Sequence, residues 1–579
     1  MENQRLILFV SLAFVLVMLW GAWQEDYGPK PTPTTVTEST EQSLGEIPSG
    51  LSQAPRTPDD SFVAPEAAVE PSAGGEAPAQ RAQTINKGSR IFVVTDTLAV
   101  EIDSLGGDIR RVDLLNYPVS SKQPDDPVRL MSDSPSKLFV AQTGLVAKSL
   151  RATDGEEIPF APTHHALYDF EKDEYRIAAG QDSIVVPLTW TNGQGVTVVK
   201  TFTFPRDGYD IKIDHNVINE SNQEWRGYQY RQFQRVKTER ESFLLYTFTG
   251  AVISTPEDNY IKYEFDELKE SNLNLDHKNG WAAMIQHYFI GAWVPDAEET
   301  NHYYSKALKD ERYVLGLSSP TKTVASGGQD TFVSTLYVGP KIQDDLDELA
   351  DNLELTVDYG FLWFIARPLF IVLQWIYETL TGNWGWAIIF LTILIKLAFY
   401  KLSATSYRSM ANMRRLQPKI EQLRERYGED RQRMGQAMME LYKKEKINPL
   451  GGCLPMMIQI PVFIALYWVL LESTELRQAT FMLWITDLSV RDPYYILPIL
   501  MGVSMFIQQK LNPPPPDPMQ AKIFMALPFV FTFFFAFFPA GLVLYWVVNN
   551  VLSIAQHWYI MRKVEKEHEA AKAAAKKPA

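Results

Sequence analysis

Six long apolar stretches, at about residues 6–23, 383–400, 453–471, 494–511, 523–538 and 541–560, constrain this chain more than any other feature. The first would reach about 27 Å as a helix, close to the thickness of a hydrocarbon core. In lipid a helix satisfies its own backbone, so the chain is expected to be a polytopic α-helical membrane protein. No small-residue cleavage motif of the A-x-A kind follows residues 6–23, which read as a retained anchor, with a cleaved signal peptide as the alternative. Six spans place both termini on one side.

Charge divides unequally along the sequence. Residues 24–350 hold 30 Lys and Arg against 50 Asp and Glu, whereas residues 351–579 hold 24 against 18. An acidic soluble region and a basic apolar one suggest domains on opposite sides of a membrane. Residues 24–90 are rich in Pro, Thr, Ser, Glu and Ala and read as a disordered linker. Alternation then begins, as in Leu98, Val100 and Ile102 and in Val196, Val198, Phe202 and Phe204, with turns at Gly106-Gly107-Asp108 and Asn192-Gly193. Residues 91–341 are therefore expected to form a large β-sandwich.

That domain carries no H-E-x-x-H, G-x-S-x-G or phosphate-cradling glycine loop. His164-His165 is expected to be a solvated loop rather than a metal site, and the domain a binding or scaffolding sandwich. The single cysteine, Cys453, excludes an intrachain disulfide framework and a cysteine-rich zinc site. It also lies too far from the N-terminus for a lipoprotein signal. No catalytic residue, metal or cofactor is expected.

Residues 342–381 read as a linker helix followed by an amphipathic helix along the membrane interface, a full span being the alternative. Residues 382–560 form a five-span core, and 561–579 a basic tail. The segment 401–450 carries twelve Lys and Arg and the tail six more, which places both in the cytosol. The segment 472–492 has two against four acids and faces outward with the β domain. Within the basic loop, Met410, Met413, Leu416, Ile420, Leu423 and Tyr427 recur at helical spacing. Gly428 stops that helix, Asp430 can cap the next, and Met434, Met438 and Leu441 continue the stripe. Residues 403–447 are thus expected to be a cytosolic helical hairpin whose stripes pack mainly on each other. Its methionines and surplus arginines, Arg414, Arg415, Arg424 and Arg426, suit docking of a large partner.

Lys396 lies inside the second apolar stretch, where a charge costs about 2.5 to 3.5 kcal/mol on insertion scales. It is five residues from Lys401, so snorkelling toward the cytosol is one explanation. Other polar residues occupy the same half of the spans: Thr392, Gln459, Ser504, Gln508, Asn549 and Asn550. The outer half holds Phe533, Phe534, Phe535, Phe537 and Phe538, with Val462, Phe463 and Ile464 deep in another span. This asymmetry suggests a blind, hydrated groove open to the cytosol; the alternative is that each polar group merely bonds a neighbouring helix.

The segments NPLGGCLPMMIQIP (448–461), LQPKIEQLRERYG (416–428), RDPYYILPILMG (491–502) and FPAGLVLYWVVNN (538–550) resemble the YidC/Oxa/Alb family of membrane-protein insertases. The anchored acidic β domain resembles the Gram-negative form, whose periplasmic sandwich is similar to sugar-binding folds. The resemblance implies residence in the inner membrane with the β domain periplasmic. It also implies a groove that receives hydrophilic parts of nascent membrane proteins and releases apolar segments into lipid, alone or with the Sec translocon. Ribosomes, signal-recognition-particle components and lipids would be further partners, without sequence-specific nucleic-acid binding. Lys396 matches the family's positive groove residue, commonly arginine; Thr392, Gln459 and Trp546 match groove contacts, and Phe463, Met501 and Phe534 a hydrophobic slide. Two other classes remain open. A secondary transporter is disfavoured because no acidic residue lies within the five core spans and no pair of broken helices repeats. A membrane-anchored periplasmic glycan-binding protein would act through the β domain.

Overall fold

The computed structural model describes residues 88–147, 150–151, 157–158, 160–238, 247–427, 430–445, 454–511 and 518–575. The expected anchor at 6–23, the linker up to residue 87, Cys453 and residues 576–579 of the tail lie outside the described residues. The chain divides into two compact units between Thr356 and Val357.

The first unit is built on an 11-stranded and a 9-stranded sheet whose apolar side chains share one core. Alternation drives this arrangement. Along Val196–Pro205 every second residue is buried, including Val196, Val198, Phe202 and Phe204, as are Leu98, Val100 and Ile102 on Leu98–Asp103. Strand Trp225–Val236 is paired on both sides, with Phe139–Ala147 and Arg312–Ser318. Strand Gly328–Pro340 holds the corresponding place in the other sheet, between Asp210–Asn219 and Phe289–Val294. The turn before Asp108–Ser120 needs two residues in the left-handed region, and glycine supplies both, at Gly106 (φ 82°) and Gly107 (φ 58°).

The same alternation buries Lys200 completely, and its ammonium donates to the carbonyls of Gly106 at 3.0 Å and Thr143 at 2.9 Å. Burial pushes its pKa down to about 7, against the opposing pull of Asp108. The histidine pair departs from expectation. His165 is exposed, but His164 is buried because its ring and its backbone N–H both reach the Tyr230 hydroxyl, at 2.5 and 2.7 Å. Among the described residues no group of three or more His, Cys, Asp or Glu could hold a metal ion.

The second unit is helical. Helix α1 (Trp363–Ile376) continues through a π-helical turn, Tyr377–Thr381, and stops at Gly382 with φ 56°. The stretch Gly360–Thr381, 22 residues long, is apolar enough to cross a membrane, so its form suits the spanning alternative as well as the interfacial expectation. Helix α2 (Trp384–Ala398) starts on the Asn383 side chain, which accepts from the Trp386 N–H at 3.2 Å. A 67° bend separates it from α3 (Tyr400–Arg415). Next come α4 (Gln417–Tyr427), α5 (Arg431–Lys444), α6 (Leu454–Glu472), α7 (Ile496–Leu511), α8 (Pro518–Phe535) and α9 (Ala540–Ala575).

Three expectations are corrected. The first arm of the hairpin is not one helix through Met410 and Tyr427: it breaks at Leu416, because Pro418 has no N–H to give the Arg414 carbonyl and its ring crowds that carbonyl, so Pro418 is accommodated only in the first turn of a new helix. Helix α3 packs on α6 and α9 instead, and the hairpin reduces to α4 and α5 around Leu416, Met438 and Tyr442. Asp430 does cap α5, accepting from Gln432 and Arg433 N–H at 3.1 Å each. Second, α8 ends at Phe535 rather than 538, ahead of Pro539. Third, residues 541–560 and most of the tail form a single helix, α9.

Helix α9 is the hub, in contact with α2, α3, α6 and α7, while α7 carries α8. Gly502 permits the α7–α8 approach, since a Cβ there would overlap the Thr532 hydroxyl.

The buried His164 yields a pH prediction. Burial, helped by the charges of His165, Arg110 and Lys200, lowers its pKa to about 3. Below its unfolded value the unfolded chain takes a proton that the folded domain refuses. Stability present above about pH 6.5 is therefore lost as pH falls, at up to about 1.4 kcal/mol per pH unit. Pulse proteolysis of the β domain in urea between pH 6.5 and 5 should show this slope, and His164→Asn should reduce it but not abolish it, because burial also pushes the pKa of His215 well down.

Candidate functional site

Polar residues expected to lie at one depth meet around α9. Lys396 of α2 donates from its ammonium to the Ser553 hydroxyl at 2.8 Å, and Ser553 donates to the Asn549 carbonyl at 2.7 Å. Gln459 of α6 donates to the Asn549 side-chain oxygen at 3.1 Å. Asn550 donates to Ser504 of α7 at 3.0 Å, and Ser504 to the Met501 carbonyl at 2.7 Å. Thr392, one turn before Lys396, is buried and back-bonds to Ile388 at 2.6 Å. Three helices are thus tied to α9 through side chains that pure hydrocarbon packing would not need.

Lys396 is turned across to α9, not along α2, which argues against simple snorkelling. Among the described residues no carboxylate pairs with it, and the partner it is bonded to is the uncharged Ser553 hydroxyl. Lys396, Gln459 and Asn549 are partly exposed, whereas Thr392, Ser504, Asn550 and Ser553 are buried. The first three are the accessible members of the network and the others are enclosed within it. Gln508 is partly exposed and takes no part in this network.

Toward the other end the helices become aromatic. Trp546 of α9 stands edge-on between Phe463 of α6 and Phe535 of α8, with ring centroids 4.4 Å away in both cases. Phe534 is 40% exposed and reaches back to Phe538 at 4.8 Å, so it presents an open apolar surface. Met501 is fully buried and can act in a slide only by backing it.

The segment between α6 and α7 closes this end. Ala540 N–H donates to the Val490 carbonyl at 2.7 Å and Gly541 N–H to Leu488 at 2.9 Å, joining the start of α9 to the loop. Asn383 reaches the Thr480 carbonyl at 2.9 Å, and Gly385 leaves room for the Phe481 ring, which a Cβ would overlap. Asp492, almost fully buried, accepts from the N–H groups of Leu497 at 2.7 Å and Tyr494 at 3.0 Å and from the Trp484 indole at 3.0 Å. One carboxylate therefore caps α7 and pins the loop.

Comparison with known proteins identifies this arrangement. Residues 90–372 match the profile of the YidC periplasmic domain, and residues 375–567 that of the 60Kd inner membrane protein family. The membrane protein insertase YidC of Thioalkalivibrio sulfidiphilus is 53% identical over 98% of this chain and 99% of its own length. That of Methylococcus capsulatus is 51% identical over the same shares. The chain belongs to the YidC family of membrane protein insertases. A crystal structure of an active YidC insertase with its first transmembrane domain resolved aligns over 81% of this chain and 92% of its own, at 18% identity and a TM-score of 0.35.

Within this YidC-family core, sequence reasoning missed Ser553. The signal was present: Asn549, Ser553 and His557 follow at spacings of four, which puts a polar stripe on one face of α9. Arg414, Arg415 and Arg426 are exposed on α3 and α4, Arg426 lying 5.6 Å from the Tyr427 ring; the Arg424 side chain is outside the described residues. Arg414 and Arg415 stand in the last turn of α3, just before the hairpin, and Arg415 acts on Glu445 at the end of α5.

Removing the Asp492 cap should cost about 2 kcal/mol, a carboxylate cap with several donors being worth that much. Asp492→Ala is expected to lower the thermal midpoint of the detergent-solubilised protein by several degrees; an unchanged midpoint would show that the loop is held by other contacts.

Proposed function

We propose that this family member inserts nascent membrane proteins through a cytosol-open hydrophilic groove walled by Lys396, Gln459 and Asn549. A single observation carries this reading: side-chain polar groups from α2, α6 and α7 converge on α9 at one end, while aromatic rings and a hydrogen-bonded loop close the other. A through-channel needs polar lining along its length. A blind vestibule needs only to hold a polar tail part of the way.

Insertion then requires no nucleotide. Partitioning of the client's apolar segment supplies the driving force, and the groove lowers the cost of moving a short polar tail. The path is short as well, since α2, α7 and α8 contain 15, 16 and 18 residues. These lengths correspond to roughly 22 to 27 Å against a core of about 30 Å, a mismatch that thins the bilayer locally. The tail's carboxylates meet the unpaired Lys396 ammonium, a point charge without the fork of an arginine. The client's apolar segment leaves over Phe463, Phe534 and Phe535, backed by Met501. In this reading six spans place both termini in the cytosol and the β unit in the periplasm. The arginines of α3 and α4 face ribosomes or targeting factors, and the Sec translocon is a partner for larger clients.

A photo-crosslinker at Gln459 should capture a single-span client with a short acidic outer tail during insertion; its failure to do so would rule out the groove. Lys396→Glu should reduce insertion of that client by roughly tenfold, about the worth of one buried charge contact, and leave neutral-tailed clients nearly unaffected. Equal insertion of all clients by Lys396→Ala and Lys396→Glu would reduce the lysine to an anchor.

A further inference from the structure

We infer that Ser553 is the positioning residue for the groove charge: it holds the Lys396 ammonium against α9 in the resting protein and yields it to an incoming client carboxylate. This rests on the groove reading above and adds to it the group that decides where the charge stands.

The argument begins with what a lysine does when nothing holds it. Its four-carbon stem has many rotamers, and Lys396 is one turn from the end of α2, so an unheld ammonium swings toward water. In the structure it does not. The ammonium donates to Ser553 Oγ at 2.8 Å, on a helix 157 residues away in sequence. Ser553 is itself fixed, because its own proton goes to the Asn549 carbonyl at 2.7 Å and only 3% of its surface is exposed. A hydroxyl so engaged has no proton to turn against the lysine and accepts from it, with the Tyr407 hydroxyl of α3 as its further neighbour.

The nature of the partner matters as much as its place. An aspartate at 553 would neutralise Lys396 and compete with any client. A leucine would leave the ammonium without an acceptor. The serine takes one of three N–H groups in a bond whose acceptor is uncharged, whereas a client carboxylate accepts the same N–H and adds the attraction of opposite charges. Exchange toward the client is therefore downhill. The neighbouring bond from Gln459 to Asn549, one turn earlier on α9, sets α6 beside the same stripe that holds the ammonium.

The test uses full-length protein in proteoliposomes with two clients that differ only in an acidic or a neutral translocated tail. Ser553→Ala should lower insertion of the acidic-tailed client by roughly three- to tenfold and change the neutral-tailed client by less than about twofold. Ser553→Thr, which keeps the hydroxyl, should restore both. Ser553→Cys keeps the volume with a weak acceptor and should show the same client bias, which covers the case in which the alanine variant does not accumulate. Equal losses for both clients, or no loss for either, would overturn the assignment. Lys396→Ala run alongside separates the two levels. If it discriminates between the clients and the Ser553 variants do not, only the positioning role fails; if it does not discriminate either, the charged-groove reading fails with it.

Discussion

The bundle depends on how α9 reconciles polar side chains with an apolar surrounding. A polar group in a low-dielectric environment is costly unless bonded, and one left half-satisfied is worse than none. Asn549, Asn550 and Ser553 meet that requirement by pairing with a different helix in each direction: Gln459 on α6, Ser504 on α7 and Lys396 on α2. The polar stripe therefore fixes which helices surround α9. What would be a liability in a uniformly apolar helix becomes the element that orders the others.

The β unit solves a related problem in a different medium. Lys200 sits on the inward face of a strand whose neighbours at that spacing are valine and phenylalanine, and two backbone carbonyls take its protons. Here water is excluded on both sides, and satisfaction is by fixed main-chain oxygens. In the helical unit the partners of Lys396 and Asn549 are side chains that can be exchanged. A buried lysine is thus held by main chain in one unit and by side chain in the other.

Much of this was legible in the sequence. Period-two alternation gave the sandwich, the apolar stretches gave the core helices, and the spacing of Asp430 gave a cap. The polar residues of α2, α6 and α7 could be assigned a common depth from their distance to the helix ends. What could not be read was which partner each would choose, since that depends on the rotation of the helices about their axes. Ser553 was overlooked because a serine near a helix end has many ordinary explanations. The Leu416 break was missed because a continuous apolar stripe outweighed one proline. His164 looked solvated because its partner, Tyr230, is 66 residues away.

The two ends of the helical unit are joined by different kinds of bond. At the closed end, main-chain N–H and carbonyl groups of residues 488–490 and 540–541 bond directly, and no rotamer change can release them. At the polar end the ties are amides, a hydroxyl and an ammonium, each replaceable by water. A bundle fastened in this way behaves like a pair of tweezers soldered at the tip of the handle. Its arms can part at the polar end and close again without losing their alignment.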